Sequence, residues 1–412
     1  MRAFSSRLSA ALPALLLTTT GLQAAPDPAD WEAVLDEARG QTVYWYAWAG
    51  EQRTNDYIDW VAGRVEEQFD IELTHVKIGD TSEAVSRVLA EKQAGNQDDG
   101  NVDLIWINGE NFATMKANDL LFGPFAEALP NFALTHPEQN PEVVTDFTLP
   151  TEGYESPWGR AQITFYYDSQ ELRGDSDAIA TPPQDIHALR VWAEANPGRF
   201  TYPRIPDFTG STFLKQALIE LTDEDEALYA PVDESDFTAV TAPLWDYLDA
   251  LHPYLWRSGR QFPATGPEMR SLMGDGELSL AFTFTPSEPA AAVADYELPP
   301  STRSYVPEGG TLGNVHFVAI PYNSPHKAGA MVVADFLLSP EAQAHKQDLA
   351  VWGDHTVLDV GRLDDDTQVL FELDQGNPAM LPADALQHTL PEPHPSWMTA
   401  LQDAWQARYI GN

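Results

Sequence analysis

The chain has 412 residues, of which 63 are acidic, 23 are basic and none is cysteine, giving a formal net charge of −40. The lack of cysteine excludes disulfides and thiolate metal sites, and the acidic excess argues against nucleic acid as a partner. The length predicts two domains. With only six lysines, the acidic composition also predicts adaptation to a saline habitat, where salt screens self-repulsion.

The first segment in chain order has the pattern of an export signal. Arg2 and Arg7 flank the start, residues 10–17 are apolar, and small residues lead to Ala25. This pattern is typical of a secretory signal peptide, and its apolar part is too short to span a bilayer. We expect residues 1–24 to be removed, leaving a periplasmic chain that has no lipid anchor and does not insert into the membrane.

Helices and strands then alternate. The apolar spacing predicts helices at 31–39, 54–67 and from Asp80 onwards, and strands at 41–48, 71–78 and 102–107. This alternation favours a mostly parallel α/β sheet, in which binding groups collect at the carboxyl ends of the strands. The strand at 102–107 is almost wholly apolar, which favours the middle of a sheet covered on both faces.

The second half continues with both kinds of element. Residues 123–160 and 299–310 are predicted to be largely irregular. Further strands are predicted at 161–167, 278–284 and 315–320, and further helices at 213–221, 244–251, 327–338 and 397–409.

The common sequence motifs of enzymes are missing. The chain has no G-x-S-x-G, H-E-x-x-H, Walker or dinucleotide-binding motif, and its ten histidines lack metal-ligand spacing. We therefore expect neither catalysis, nor a metal, nor a cofactor.

Several stretches resemble a known family. The run TLGNVHFVAIPYNSPHKAGA at 311–330, followed by ADFLLSPEAQ at 334–343, resembles a signature of the solute-binding proteins of ABC importers. Segments 156–168, 202–211 and 272–277 also have counterparts in these proteins, which have the second type of periplasmic-binding-protein fold. Segments 80–92 and 103–112 are similar to the YnjB-like branch of the family.

The resemblance implies an α/β fold of two lobes with a ligand cleft at the hinge between them. It implies a first lobe of residues 25–158 and 306–350, a second lobe of 159–305, and C-terminal helices in 351–412 that pack mainly on the second lobe. It also implies a monomer whose partners are a small-molecule solute and an inner-membrane ABC permease.

The loops at the ends of the strands are expected to line the cleft. The candidate ligand-binding residues are Trp48, Glu51, Asp80, Thr81, Ser82, Asn108, Glu110, Asn111, Trp158, Arg160, Phe208, Gly210, Ser211, Thr285, Ser287 and Glu288.

Two ligand chemistries remain open for these loops. Aromatic rings beside carboxylates favour a cationic or heteroaromatic solute, such as thiamine or a polyamine. Helix starts near Thr81 and at 210–212, together with Arg160, favour an oxyanion or a carboxylate. Alternatives of other classes are a secreted glycan-processing hydrolase that uses Glu110 and Glu288, and a sensor for a membrane kinase.

Overall fold

The computed structural model describes residues 26–172, 181–372, 376–381, 385–386 and 388–410, so the predicted signal peptide lies outside the described residues. The helices are α1 Trp31–Ala38, α2 Gln52–Phe69, α3 Ser82–Gln93, α4 Glu110–Ala117, α5 Ile186–Ala195, α6 Phe208–Leu221, α7 Phe237–Leu251, α8 Gly266–Gly274, α9 Glu288–Ala294, α10 Lys327–Leu337, α11 Pro340–Gln347, α12 Asp365–Gln368 and α13 Ser396–Tyr409. The strands are β1 Thr42–Trp48, β2 Glu72–Ile78, β3 Leu104–Ile107, β4 Thr145–Asp146, β5 Leu149–Pro150, β6 Glu155–Gln162, β7 Thr164–Asp168, β8 Leu280–Thr283, β9 Thr302–Tyr305, β10 Thr311–Ala319 and β11 Thr389–Leu390. Within these ranges, no helix is both long enough and apolar enough to cross a membrane.

The first lobe is built on a sheet with the strand order β2-β1-β3-β10-β6, which β11 extends by pairing with the start of β10. Strands β2 and β3 run parallel to β1, whereas β10 runs antiparallel to both β3 and β6. Leu104, Ile105 and Ile107 of β3 are fully buried. The predicted parallel arrangement of the first three strands and the central place of β3 are therefore confirmed.

The second lobe has a three-stranded sheet of order β8-β7-β9 in which both pairings are antiparallel. The alternation of helices and strands therefore predicts parallel pairing correctly only for the first lobe. Strand β7 enters the second sheet directly from β6 of the first sheet, so no helical crossover sets its direction. Strand β9 lies in a stretch predicted as loop, because its sequence TRSY has no apolar alternation.

Each sheet carries its own hydrophobic core, and the chain passes between the two cores more than once. Two of the passages are β6 to β7 and β9 to β10. They lie side by side, because the Ile163 amide donates to the Leu312 carbonyl at 2.9 Å. Paired passages of this kind suit a hinge between two lobes.

The segment that follows α11 was expected to pack mainly on the second lobe, but it divides between the two cores. Trp352, Val357 and Phe371 belong to the first core, whereas Trp397 and Trp405 of α13 belong to the second. The segment after α11 is therefore held on the first lobe, and only the end of the chain packs on the second. The lobe boundaries themselves stay a prediction.

Candidate functional site

A cavity of about 240 Å³ lies between the two lobes. Its first wall is formed by the loops that follow β1, β2 and β3, which are the carboxyl ends of the parallel strands. Its second wall is formed by the starts of α6 and α8 and by the segment between β8 and α9.

Aromatic rings cover a large part of the first wall. Trp48 and Trp106 meet edge to face with ring centroids 6.5 Å apart, and Trp106 and Trp352 meet at 5.9 Å. The indole of Trp48 lies directly over the backbone of Gly50, where an added Cβ would approach the ring to 2.3 Å. The glycine therefore permits this position of the Trp48 ring. Phe208 and Phe284 form a second aromatic pair, with centroids 5.3 Å apart, on the opposite wall.

Three carboxylates line the cavity, and they come from both of its walls. Asp80 and Glu110 come from the first lobe, and Asp207 comes from the second. The pKa of Glu110 is raised to about 7 and that of Asp207 to about 6, mainly by burial and in part by the charge of Asp80. Among the described residues, none of these three side chains forms an ion pair with a basic group. We call them the acidic triad.

A second set of carboxylates at the cavity shares one internal cation. Arg270 of α8 contacts Glu51 of the first lobe at 2.8 Å, and on its own lobe it contacts Glu288 and Glu297. Arg53 of the first lobe also pairs with Asp295 of the second lobe. The cavity therefore contains one acidic group with an internal counter-cation and one without.

A buried ion pair lies beside Phe208 of the cavity lining. The ammonium of Lys215 is 2.5 Å from Glu392, and it lies 4.4 Å from the ring centroid of Phe147 and 5.5 Å from that of Phe208. The charge of Lys215 lowers the pKa of Glu110, which opposes the effect of burial. Because Glu392 already pairs with Lys215, this lysine does not neutralise the acidic triad.

The aromatic wall is supported from behind by a second buried network. His316 lines the cavity, and its Nε2 is 3.1 Å from Asp354, which also pairs with Lys346 at 2.6 Å. Burial alone would raise the pKa of Asp354, but Lys346 and His316 hold it below its ordinary value. The network thus fixes His316 and the neighbouring Trp352 in place.

The structure brings ten of the sixteen candidate residues together around the cavity. They are Trp48, Glu51, Asp80, Thr81, Asn108, Glu110, Asn111, Phe208, Thr285 and Glu288. Their contact with a ligand stays a prediction.

Two of the other candidates serve the hinge region structurally. Trp158 is fully buried one layer behind the cavity, with its ring 4.8 Å from Trp106, because β6 turns it into the first core. Arg160 pairs with Glu142 instead of pointing to the cavity, and its amide donates to the His355 carbonyl.

Four small residues also lie off the cavity lining. Ser82 is exposed at the start of α3, and Ser287 is hydrogen-bonded to His355 at 3.1 Å. Gly210 packs against Pro203, whose carbonyl oxygen a Cβ would approach to 2.1 Å. Ser211 accepts a hydrogen bond from Gln402, a residue that does line the cavity.

Sequence reasoning missed several residues of the lining. Asp207 directly precedes Phe208 and is the N-cap of α6. The sequence prediction starts this helix at residue 213, so it does not identify Asp207 as a residue at a helix start. Arg53 and Arg270 lie within helices and carry no motif. The position of Trp106 within an apolar strand predicts a core residue. Trp352 lies in a loop far along the chain. In the described part of the chain, no group of three or more histidine or acidic side chains is arranged to hold a metal ion.

Comparison with known proteins shows which family has this sequence and fold. A sequence model of the family described as bacterial extracellular solute-binding protein matches residues 60–353. Protein YnjB of Escherichia coli (strain K12) is 45% identical over 380 residues, covering 92% of this chain and 94% of that protein.

Solved structures of periplasmic binding proteins share the fold. AfuA from Actinobacillus pleuropneumoniae, with fructose 6-phosphate bound, matches with a TM-score of 0.58 at 16% identity, covering 90% of this chain and 99% of that one. Iron-bound HitA from Pseudomonas aeruginosa matches with a TM-score of 0.58 at 16% identity, covering 88% and 98%. The spermidine/putrescine transporter protein PotD from Streptococcus pneumoniae matches with a TM-score of 0.57 at 16% identity, covering 90% and 98%.

These receptors capture small solutes for a membrane permease and work in the periplasm, and they are binding proteins rather than enzymes. The chain belongs to the family of bacterial extracellular solute-binding proteins that serve ABC importers.

Proposed function

We propose that this receptor captures an organic cation of thiamine-like or polyamine-like chemistry and delivers it to its permease. The observation that carries the proposal is the acidic triad of Asp80, Glu110 and Asp207, which lines the cavity and forms no ion pair with any basic group in the described part of the chain. Burial and the charge of Asp80 raise the pKa of Glu110 and of Asp207, so a bound cation would relieve an existing electrostatic cost. Because the triad draws on both lobes, such a cation would also hold the lobes closed.

The aromatic lining supports the same class of ligand. Trp48, Trp106 and Trp352 on one side and Phe208 on the other lie around the same cavity as the triad. Aromatic faces attract cations and stack on flat heterocycles, with a contribution of about 0.5–2 kcal/mol for each cation–π contact.

The helix starts near the cavity argue against the oxyanion alternative. The amide of Ser82 donates to Asp80 at 2.8 Å, and the amide of Gly210 donates to Asp207 at 3.2 Å. The chain's own carboxylates therefore already occupy N–H groups that an anion would use. Arg160, the predicted anion partner, pairs with Glu142.

The arrangement of Glu288 restricts the hydrolase alternative. This carboxylate contacts Arg270 and also accepts a hydrogen bond from Thr283, so it is a poor proton donor. The alternative therefore needs Glu110 as the acid and Glu288 as the nucleophile or base.

A thermal-shift panel tests the proposal. The mature protein is unfolded, refolded without solute, and heated with thiamine, spermidine, sulfate, phosphate or neutral sugars. A ligand at about 100 times its Kd stabilises a protein by about 2.7 kcal/mol. Stabilisation by at least one organic cation and by no anion is the expected result, and stabilisation by anions alone would overturn the proposal.

A further inference from the structure

The indole of Trp48 rests against the backbone of Gly50. A Cβ added to Gly50 would lie 2.3 Å from Cζ2 of Trp48, 2.6 Å from its Cε2 and 3.0 Å from its Nε1. Carbon atoms in van der Waals contact lie about 3.5–4.0 Å apart, so these distances are strongly repulsive. Only a glycine at this position therefore leaves room for the indole where it lies.

The backbone around Gly50 is held on both sides. On one side, the carbonyl of Ala49 accepts a hydrogen bond from Nδ2 of the buried Asn55 at 3.2 Å. On the other side, Glu51 is the N-cap of α2 and contacts Arg270 of the opposite lobe at 2.8 Å. A side chain at position 50 would therefore displace the indole and leave the loop in place.

The displaced indole would move into the cavity. Trp48 is among the residues that line the cavity and Gly50 is not, so the indole lies between the glycine and the cavity. The indole also packs edge to face on Trp106, with ring centroids 6.5 Å apart and an interplanar angle of 88°. A ring pushed away from Gly50 would disturb this packing and narrow the cavity.

Aromatic rings line the cavity from both lobes. Trp48, Trp106 and Trp352 belong to the first wall, and Phe208 and Phe284 belong to the second. A flat heterocycle with a positive charge can stack on such rings and is attracted by their faces, whereas an aliphatic polyamine has no flat face to stack. The space between the walls decides whether a flat ring can enter, and the position of the Trp48 ring sets this space on the first wall.

We infer that Gly50 is a specificity-determining residue that selects a flat heteroaromatic cation over a linear polyamine. This inference rests on the proposed function and narrows its ligand class. The glycine holds the indole of Trp48 against the backbone, where the ring can stack on the solute without blocking its entry. Because Gly50 acts through Trp48, it is a positioning residue for that ring.

A double-mutant cycle tests the inference by titration calorimetry. The wild type is expected to bind thiamine at least about tenfold more tightly than spermidine, because only thiamine has flat rings. Gly50→Ala is expected to reduce the affinity for thiamine at least about tenfold. In the Trp48→Leu background, the same substitution is expected to change the affinity less than about twofold, since no indole is left to displace.

Gly63→Ala is the matched control. Gly63 is an exposed glycine of α2 in the same lobe, and an added Cβ would meet no atom within 4 Å. This variant is expected to bind thiamine as the wild type does. Thermal unfolding shows whether each variant is folded. Gly50→Ala is expected to fold, because its backbone is not in the left-handed region and the atoms that it displaces belong to a side chain.

The outcomes distinguish this inference from the proposed function. If the wild type binds spermidine as tightly as thiamine, or if Gly50→Ala binds thiamine as the wild type does, the role of Gly50 is wrong and the cation receptor stands. An equal loss of affinity with and without the Trp48 indole would also overturn it. The wild-type comparison of the two solutes holds even if a variant does not fold. If no organic cation binds to the wild type, both proposals fail.

Discussion

Arg53 of the first lobe and Asp295 of the second form an ion pair across the cleft. Arg53 lies in the first turn of α2, directly after the N-cap Glu51, and Asp295 is the C-cap of α9. Together with the contact between Arg270 and Glu51, this pair joins the lobes outside the acidic triad. The two contacts belong to a closed arrangement of the lobes.

Asp295→Asn is expected to weaken this closed arrangement. An ion pair of this exposure contributes about 0.2–1 kcal/mol, so solute affinity should fall by a factor of about 1.4 to 5. Small-angle scattering of the protein without solute should show a larger radius of gyration for the variant. The matched control is Asp275→Asn, which changes an aspartate at the end of α8 that has no ion pair. Equal scattering and affinity for the two variants would show that the pair does not hold the lobes.

Solute binding is expected to depend on pH through Glu110. Its pKa is raised to about 7, so the carboxylate gains its charge as the pH rises through this value. The affinity for thiamine, whose thiazolium charge does not titrate, should therefore rise between pH 6 and pH 8. Glu110→Gln should bind more weakly at pH 8 and show a flatter pH profile. A wild-type profile that is flat over this range would contradict the role of Glu110.

Glu110 is also expected to lower the stability of the protein at high pH. Its pKa in the folded chain lies above its ordinary value of 4.5, so its favourable contribution holds at low pH and is lost as the pH rises through about 7. Glu110→Gln should raise the free energy of unfolding by about 1–3 kcal/mol at pH 8 and by much less at pH 5. Urea unfolding measures this, with the exposed Glu308→Gln as control. A variant that is less stable than the wild type at pH 8 would contradict the argument.

Trp48 is expected to contribute to binding through its ring. Trp48→Leu should reduce the affinity for an aromatic cation such as thiamine about tenfold, because a stacked or cation–π contact is lost. Trp60→Leu is the matched control, since Trp60 packs on the first core away from the cavity. Titration calorimetry of both variants makes the comparison. Equal losses would place the effect of Trp48 in folding instead of binding.

The acidic surface is expected to respond to salt. With 63 acidic and 23 basic residues, repulsion destabilises the folded chain at low ionic strength. The midpoint of thermal unfolding should rise as sodium chloride is raised from about 0.1 M, where the Debye length is about 10 Å, to 1 M, where it is about 3 Å. A falling midpoint would contradict adaptation to a saline habitat.

Local patterns predicted the first lobe well. The apolar run of β3 identified a central strand, and the turns after β1, β2 and β3 led to Trp48, Asp80 and Glu110 in the cavity. These predictions depend on neighbouring residues only, so periodicity is sufficient.

The second wall depends on contacts that local patterns do not encode. Arg270 of α8 lines the cavity and contacts Glu51, which is 219 positions away in the chain. Trp158 shows the opposite case, because an aromatic residue predicted at the hinge is turned by β6 into the core. Side-chain direction at such positions is decided by tertiary packing.

A crystal structure of the protein with the cation that stabilises it most tests the central claim most directly. The account predicts that the cationic centre of the solute lies between the lobes, within about 4–6 Å of the carboxylates of Glu110 and Asp207. A solute whose anionic group contacts Arg53 or Arg270 while the acidic triad stays empty, or one bound outside this cavity, would contradict it.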